Sequence, residues 1–391
     1  MTLLKLAVRN LLGAGMKTWL NAVVLSLAFV TIIWAQGLYK GMDNQASRAM
    51  IGAEYGGGQY WVESYDPFDP LSLQEAHRKP TGRLEDLVRA GRATPILIIQ
   101  GTIYPEGRIM PIVLKGIDPE QKLLSLPSYF LKGTGPEIPA FIGTRMAQAS
   151  GLKLGDTVTV RWRDIHGTFD AKDLRIAQII KTSVQSIDSG QVWVPLATLQ
   201  AMAALDNEAT IVVTEKNFRP TAGISGWTFK DLNFLLQDIK ELVRSKTIGA
   251  SILYSLLLFL AMLAIFNTQV LSIFRRRKEI GTLMALGMTR GRVIELFTVE
   301  GALHAILAAF VGAIYGIPFL AYFVVKGWSV PEGMADGFGF ALSEKLFPTY
   351  SAGLVTGTTL LVLVITTIVS FLPTRRIAKL KPTDALKGKI A

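Results

Sequence analysis

Three observations predict the fold class. The chain carries four long apolar segments, one large polar segment between the first two, and Lys and Arg gathered at three flanks. Together they predict an α-helical membrane protein with four transmembrane helices and a large extracytoplasmic α+β domain on a helical stalk. Of 391 residues, 50% are hydrophobic and 18% charged, against roughly 25% charged in soluble domains. That balance excludes a disordered chain and argues against a soluble enzyme. There is no Cys, and the only His are His77, His166 and His304, so a disulfide framework, a Cys-ligated metal and a thiol nucleophile are excluded.

A helix needs about 20 mostly apolar residues to cross the ~30 Å hydrocarbon core. Four segments meet that length: 19–39, 249–274, 297–325 and 350–372. The first is longer than a signal-peptide core, and Trp34-Ala35-Gln36-Gly37 is a poor cleavage site, so it is read as an uncleaved span. The third carries Glu300 and His304 near its start and Pro318 within it, which predicts a kink.

Orientation follows from the flanks. Lys5, Arg9 and Lys17 precede the first span, and Arg275, Arg276, Arg277, Lys278, Arg290 and Arg292 lie in 275–296. Arg375, Arg376, Lys379, Lys381, Lys387 and Lys389 follow the last span. These flanks hold 15 of the 41 basic residues with few acids, and the rest of the chain is close to neutral. The net charge of +11 is therefore an orientation signal rather than a nucleic-acid surface. Segments 1–18, 275–296 and 373–391 are placed in the cytoplasm, with 40–248 and the short loop 326–349 outside.

Segment 40–248 alternates strand-like runs (Ile96–Gln100, Ile109–Lys115, Thr157–Trp162, Leu174–Lys181, Gln191–Val194, Ala209–Thr214) with short helical ones (Thr144–Ser150, Leu196–Ala204), which is the pattern of an α+β domain. Glu63–Pro80, with three prolines, reads as an irregular loop. Gly56-Gly57-Gly58 lacks the Lys of a phosphate cradle and reads as a flexible turn. Leu232, Leu235, Leu236, Ile239, Leu242 and Val243 recur at helical spacing and lead into the second span, which predicts a stalk helix, with a hinge at Gly249 as the alternative.

Chemical motifs are mostly absent. No P-loop, H-E-x-x-H or G-x-S-x-G occurs. His166 falls in a hairpin turn. Glu300 and His304 are four apart on one helix face, which suits an interhelical hydrogen bond better than a proton relay without partner carboxylates. Between the second and third spans, Ile280, Leu283 and Leu286 recur at i, i+3 and i+6 in a short small-residue-rich helix closed by Gly287. Such a helix can plug into a groove on another protein.

Here the residues resemble a known family. Arg277-Lys278-Glu279-Ile280-Gly281-Thr282-Leu283-Met284-Ala285-Leu286-Gly287-Met288 is similar to the R-x-E-I-G-x-L-x-A-L-G-A segment of FtsX/MacB-like ABC transporter permeases, with Met288 in place of the usual Ala or Ser. Leu296-Phe297-Thr298-Val299-Glu300-Gly301 resembles their L-F-x-x-E-G, and 373–386 their P-x-R-R-A-A-x-L-x-P-x-x-A-L tail. Leu6-Ala7-Val8-Arg9-Asn10-Leu11 resembles their amphipathic N-terminal helix on the inner leaflet. In the outer segment, Lys115–Glu120, Ile142-Gly143, Gly151–Val158 and Val192–Leu196 are similar to the lipoprotein-releasing permeases.

The resemblance implies a non-catalytic permease subunit in a bacterial inner membrane. It would pair with a second permease chain, identical or paralogous, and with two copies of a separate ATP-binding subunit that holds ATP and Mg. Glu279, Ile280, Gly281, Leu283, Ala285, Leu286, Gly287 and Met288 would form the helix that docks on that subunit. Lipoprotein would be extracted from the outer leaflet and passed to a periplasmic carrier, with acyl chains in a cleft bearing Leu25, Phe29, Ile32, Phe259, Met262 and Phe266. The alternatives are a mechanosignalling permease that regulates cell-wall hydrolases and an exporter of small amphiphiles through a periplasmic adaptor.

Overall fold

The computed structural model describes every residue except Met1, Ala14, 134–136, 221–222, 331–344 and 376–391. Helices α1 (Thr2–Gly13) and α2 (Met16–Met50) are followed by a π-turn at Ile51–Tyr55. Next come β1 (Gln59–Val62), α3 (Arg83–Arg89), β2 (Ala93–Ile103), β3 (Met110–Ile117), β4 (Ile138–Gly143), α4 (Thr144–Ser150), β5 (Thr157–Arg163) and β6 (Phe169–Ile180). Helix α5 (Gln185–Ser189), β7 (Gln191–Pro195), α6 (Leu196–Ala203), β8 (Ile211–Thr214), β9 (Trp227–Lys230) and α7 (Leu232–Leu235) complete the polar segment. Helices α8 (Gln237–Arg275), α9 (Arg277–Ala285) and α10 (Arg290–Lys326) follow, then β10 (Trp328–Ser329), β11 (Lys345–Leu346) and α11 (Ala352–Thr374).

Two compact units result: Met1–Asp43 with Leu242–Ser329 and Lys345–Ala391, and Asn44–Glu241 with Val330–Glu344. Among the described residues, four helices are long and apolar enough to cross a membrane: Thr18–Tyr55, Gln237–Arg275, Arg290–Lys326 and Ala352–Thr374. Gly249 lies inside unbroken α8, and the break in the predicted stalk helix falls instead at Leu236, between α7 and α8.

In the helical unit the helices approach closely where they carry glycine. A Cβ on Gly316 would lie 2.7 Å from Val30, and one on Gly301 2.1 Å from the Ser370 hydroxyl. Gly312 and Gly316 thus form a small-xxx-small face on α10 against α2, the device that lets apolar helices pack when lipid is as apolar as their side chains. Ser26 and Tyr315 add a hydroxyl pair at 3.1 Å across the same contact.

The second unit is built on one nine-stranded sheet, order β3-β7-β4-β6-β5-β2-β8-β1-β9, with β2 also paired to β3. Six of these strands therefore close into a small barrel, and β8, β1 and β9 extend from it. Strand β2 makes this possible by its length, pairing with β8 through Ala93–Ile96 and with β5 through Gly101–Ile103. Leu97, Leu114, Ala140, Ile142, Val160, Trp162 and Leu174 pack one core, and Ile96, Ile98, Phe141, Trp193 and Val213 another, so successive β2 residues are buried on opposite faces.

Strands β1, β4 and β9 were not legible as alternation. Strand β4 is buried throughout and contains Pro139, and β1 and β9 span four residues each. The triple glycine is also not a flexible turn. A Cβ on Gly57 would lie 1.9 Å from the Glu215 carbonyl oxygen, and one on Gly56 2.4 Å from that of Thr214, so the chain is wedged against the backbone leaving β8. Gly57→Ala is expected to cost about 1–3 kcal/mol, whereas Gly249→Ala, open on every side in a helix interior, is expected to gain about 0.5–1 kcal/mol. Thermal unfolding of the full chain checks both; a neutral Gly57→Ala would refute the wedge.

Candidate functional site

The turn between α8 and α10 gathers most of the polar chemistry of the helical unit. Helix α8 ends at Arg275, and Arg276, at φ −97° and ψ 14°, breaks it and starts α9. Helix α9 closes in a Schellman arrangement: Gly287 N–H donates to the Met284 carbonyl at 3.1 Å and Met288 N–H to that of Leu283 at 3.0 Å. Gly287 has φ +94°, the left-handed region a glycine enters without strain. Thr289 then caps α10, its side chain accepting from Arg292 N–H.

Two interactions fix this short helix. The first is apolar: Ile280 is fully buried with Ile273, Val293 and Phe297, and Met284 and Met288 pack against them. The second is ionic. Arg276 donates to Glu300 at 3.0 Å and to Glu279 at 2.8 Å, and its guanidinium lies 5.0 Å from the Phe297 ring centroid. Burial works against the charged guanidinium, but Glu279 and Glu300 outweigh it and hold Arg276 above its usual value. Asn10 of α1 donates to the same Glu300 carboxylate at 3.4 Å, so one carboxylate joins α1, the α8–α9 turn and α10. His304 does not reach the Glu300 side chain; its Nδ1 donates to the Glu300 carbonyl at 3.0 Å.

The structure divides the predicted docking residues. Ile280 and Gly281 are buried, Leu283 and Met288 half-buried, and Glu279, Ala285, Leu286 and Gly287 exposed, Leu286 to 80%. Positions i and i+6 lie about 120° apart around a helix, so Ile280 and Leu286 point to different sides. Ile280 seats α9 on its own chain, and Leu286 is left exposed. The residues of 296–301 that carry the resemblance have a common role as well: Leu296, Phe297, Glu300 and Gly301 are all buried.

The six candidates for a lipid cleft also separate. Leu25, Phe29, Ile32 and Met262 are buried in one cluster with Leu258, Ala261, Ile265, Ala305 and Ala308, Phe266 is half-buried, and Phe259 is 62% exposed. Of the tail motif, Pro373 and Thr374 are buried and Thr374 pairs with Thr298 at 3.2 Å; Arg376 to Leu386 lie outside the described residues.

Sequence reasoning missed the Arg276–Glu300 pair. Arg276 was hidden among three basic neighbours, and Glu300 was read as an interhelical hydrogen-bonding group with no partner named. Because Glu300 is only 4% exposed, Arg276→Met, which strands it, is expected to cost about 3–5 kcal/mol. Arg276→Met with Glu300→Gln is expected to recover most of that loss in thermal unfolding of the detergent-purified chain. A double variant no more stable than the single one would show that the pair does not govern this turn.

Residues 251–382 match the FtsX-like permease C-terminal family. The chain is 22% identical over 333 residues to the lipoprotein-releasing system transmembrane protein LolC of Neisseria meningitidis, covering 75% of this chain and 77% of that protein. It is 24% identical to the LolC of Xylella fastidiosa, covering 76% and 78%. A probable export ATP-binding/permease protein MacB of Pseudomonas entomophila is 25% identical over 42% of this chain, and that match spans only 22% of the MacB chain. The extracellular domain of the ABC-type transporter YknZ aligns at 13% identity over 41% of this chain and 83% of that one, with a TM-score of 0.25, too low to bear on the fold. Residues 251–382 carry an FtsX-like permease domain, and the chain has homologues named LolC and MacB.

Proposed function

We propose that this chain is the non-catalytic membrane subunit of an ATP-driven, mechanotransmitting transporter in a bacterial inner membrane, and that it extracts lipoproteins from the outer leaflet for a periplasmic carrier. Both termini and α9 face the cytoplasm in this reading, and the barrel unit faces the periplasm. Two permease chains, identical or paralogous, pair with two ATP-binding subunits that hold ATP and Mg.

The observation that carries the reading is Leu286, an 80% exposed leucine at the end of a short helix whose other face is locked by Ile280 and Arg276. A bare apolar residue on a braced helix suits docking into an apolar groove, and the bracing lets a push on Leu286 reach α8 and α10 together. The surrounding Arg275, Lys278, Arg290 and Arg292 support a cytoplasmic position for that helix. Acyl chains would first meet Phe259 on the exposed face of α8. Leu25, Phe29, Ile32 and Met262 would line a cleft once α2 and α8 part.

Lipoprotein is favoured as cargo because the likeness to the LolC proteins covers about three quarters of the chain, against 42% and 56% for two MacB proteins. Leu286→Asp is expected to lower ATP-dependent release at least about tenfold, because the charge would have to be desolvated in the groove. Full release with Leu286→Asp would contradict the docking assignment. The cargo is tested separately: triacylated lipoprotein is expected to copurify in detergent, and a wall hydrolase or its activator in its place would favour the mechanosignalling alternative.

A further inference from the structure

The barrel unit contains a buried ion pair that neither docking nor cargo accounts for. It lies where the last turns of α2 meet the sheet. Helix α2 ends in the π-turn, closed by Gly56 N–H donating to the Ile51 carbonyl at 2.8 Å, and Glu54 within it is 9% exposed. The Glu54 carboxylate is 2.5 Å from Lys115 Nζ on β3, and accepts from Ser186 of α5 at 3.1 Å and from Gln191 of β7 at 3.3 Å. Lys115 itself is 6% exposed and lies 5.2 Å from the Trp193 ring centroid. One side chain of the turn is thus held by three separate elements.

The backbone is held as firmly. Ser125 N–H donates to the Gly52 carbonyl at 2.7 Å, Gly57 N–H to that of Thr214 at 2.8 Å, and Thr214 N–H to that of Gly58 at 2.9 Å. The wedged glycines leave no room for the turn to slide along β8.

Stability does not explain such an arrangement. A buried ion pair is commonly no better than an apolar pair of the same volume, because desolvation cancels the Coulombic gain. Apolar side chains, however, resist shear weakly, since their attraction has no direction. Charge-assisted hydrogen bonds are directional and lose energy steeply on displacement. A π-turn is also rare and frequently found at functional sites.

We propose that the π-turn, pinned by Glu54 and Lys115, is the joint through which movement of α2 is passed into the barrel, with both as positioning residues for the transport cycle. The proposal rests on the reading of the chain as an ATP-driven permease, and it deepens that reading by naming where motion enters the outer unit.

The test is hydrogen exchange on the full complex with its ATP-binding subunit in lipid nanodiscs, with and without Mg-ATP. In the wild type, ATP is expected to change exchange of Met110–Ile117 and Gln191–Pro195 by at least about threefold. E54Q/K115M removes both charges without leaving either unpaired. It is expected to keep nucleotide-free protection of Thr157–Arg163 and ATP hydrolysis, and to lose the response. Lys115→Arg, which keeps the pair, is expected to retain it. The same ATP response in E54Q/K115M as in the wild type, or no response in the wild type, would overturn the proposal. Should E54Q/K115M not fold, Ser186→Ala, which removes one donor, is expected to lower the response about twofold, and an unchanged response would overturn the proposal. Lipoprotein release is measured in parallel: a wild type that transmits but releases nothing sinks the cargo reading and leaves the joint standing.

Discussion

Glu300 is buried inside a helical unit and must be neutralised where it stands, and the α8–α9–α10 turn is arranged around that requirement. Arg276 pairs with it from the point where the chain leaves α8 and α9 begins. Phe297 lies under the guanidinium, Asn10 brings α1 to the same carboxylate, and Gly301 lets Ser370 of α11 approach one residue further on. Removing the charge would relax all of these together. The short helix that presents Leu286 therefore owes its position to the Arg276–Glu300 pair.

The barrel unit uses the same device at Glu54. A carboxylate near the end of a long helix is enclosed by donors from several elements, and the neighbouring backbone is tightened by glycines that fill the only available space. In each unit the apolar core supplies the bulk of the packing, while one buried charge fixes the angle at which a helix ends. Hydrophobic burial is non-directional and cannot do this alone.

Long periodic segments were legible. The four apolar helices follow from length and composition, and strands β2, β3, β5, β6, β7 and β8 from their apolar runs. What could not be read depends on partners distant in the chain. Asn10 and Glu300 are 290 residues apart, and Glu54 and Gln191 are 137 apart. Nothing local marks Glu54 as buried. The small-residue helix at 279–288 was visible as a motif, but spacing alone assigned Ile280 and Leu286 to one face. Only the packing against Ile273 and Phe297 shows that Ile280 faces inward. The triple glycine misled for a related reason, because glycine marks a close approach as readily as a flexible turn.

The central claim is that α9 is a docking element with Leu286 as its outward contact. The chain has no native cysteine, so a single cysteine can be placed without background. Site-specific crosslinking from Leu286→Cys, with Ile280→Cys as the inward control, tests the claim in membranes that contain the ATP-binding subunit. The account predicts a crosslink to that subunit from position 286 and none from 280. A crosslink from 280, or none from 286 in a complex that still assembles, would contradict it.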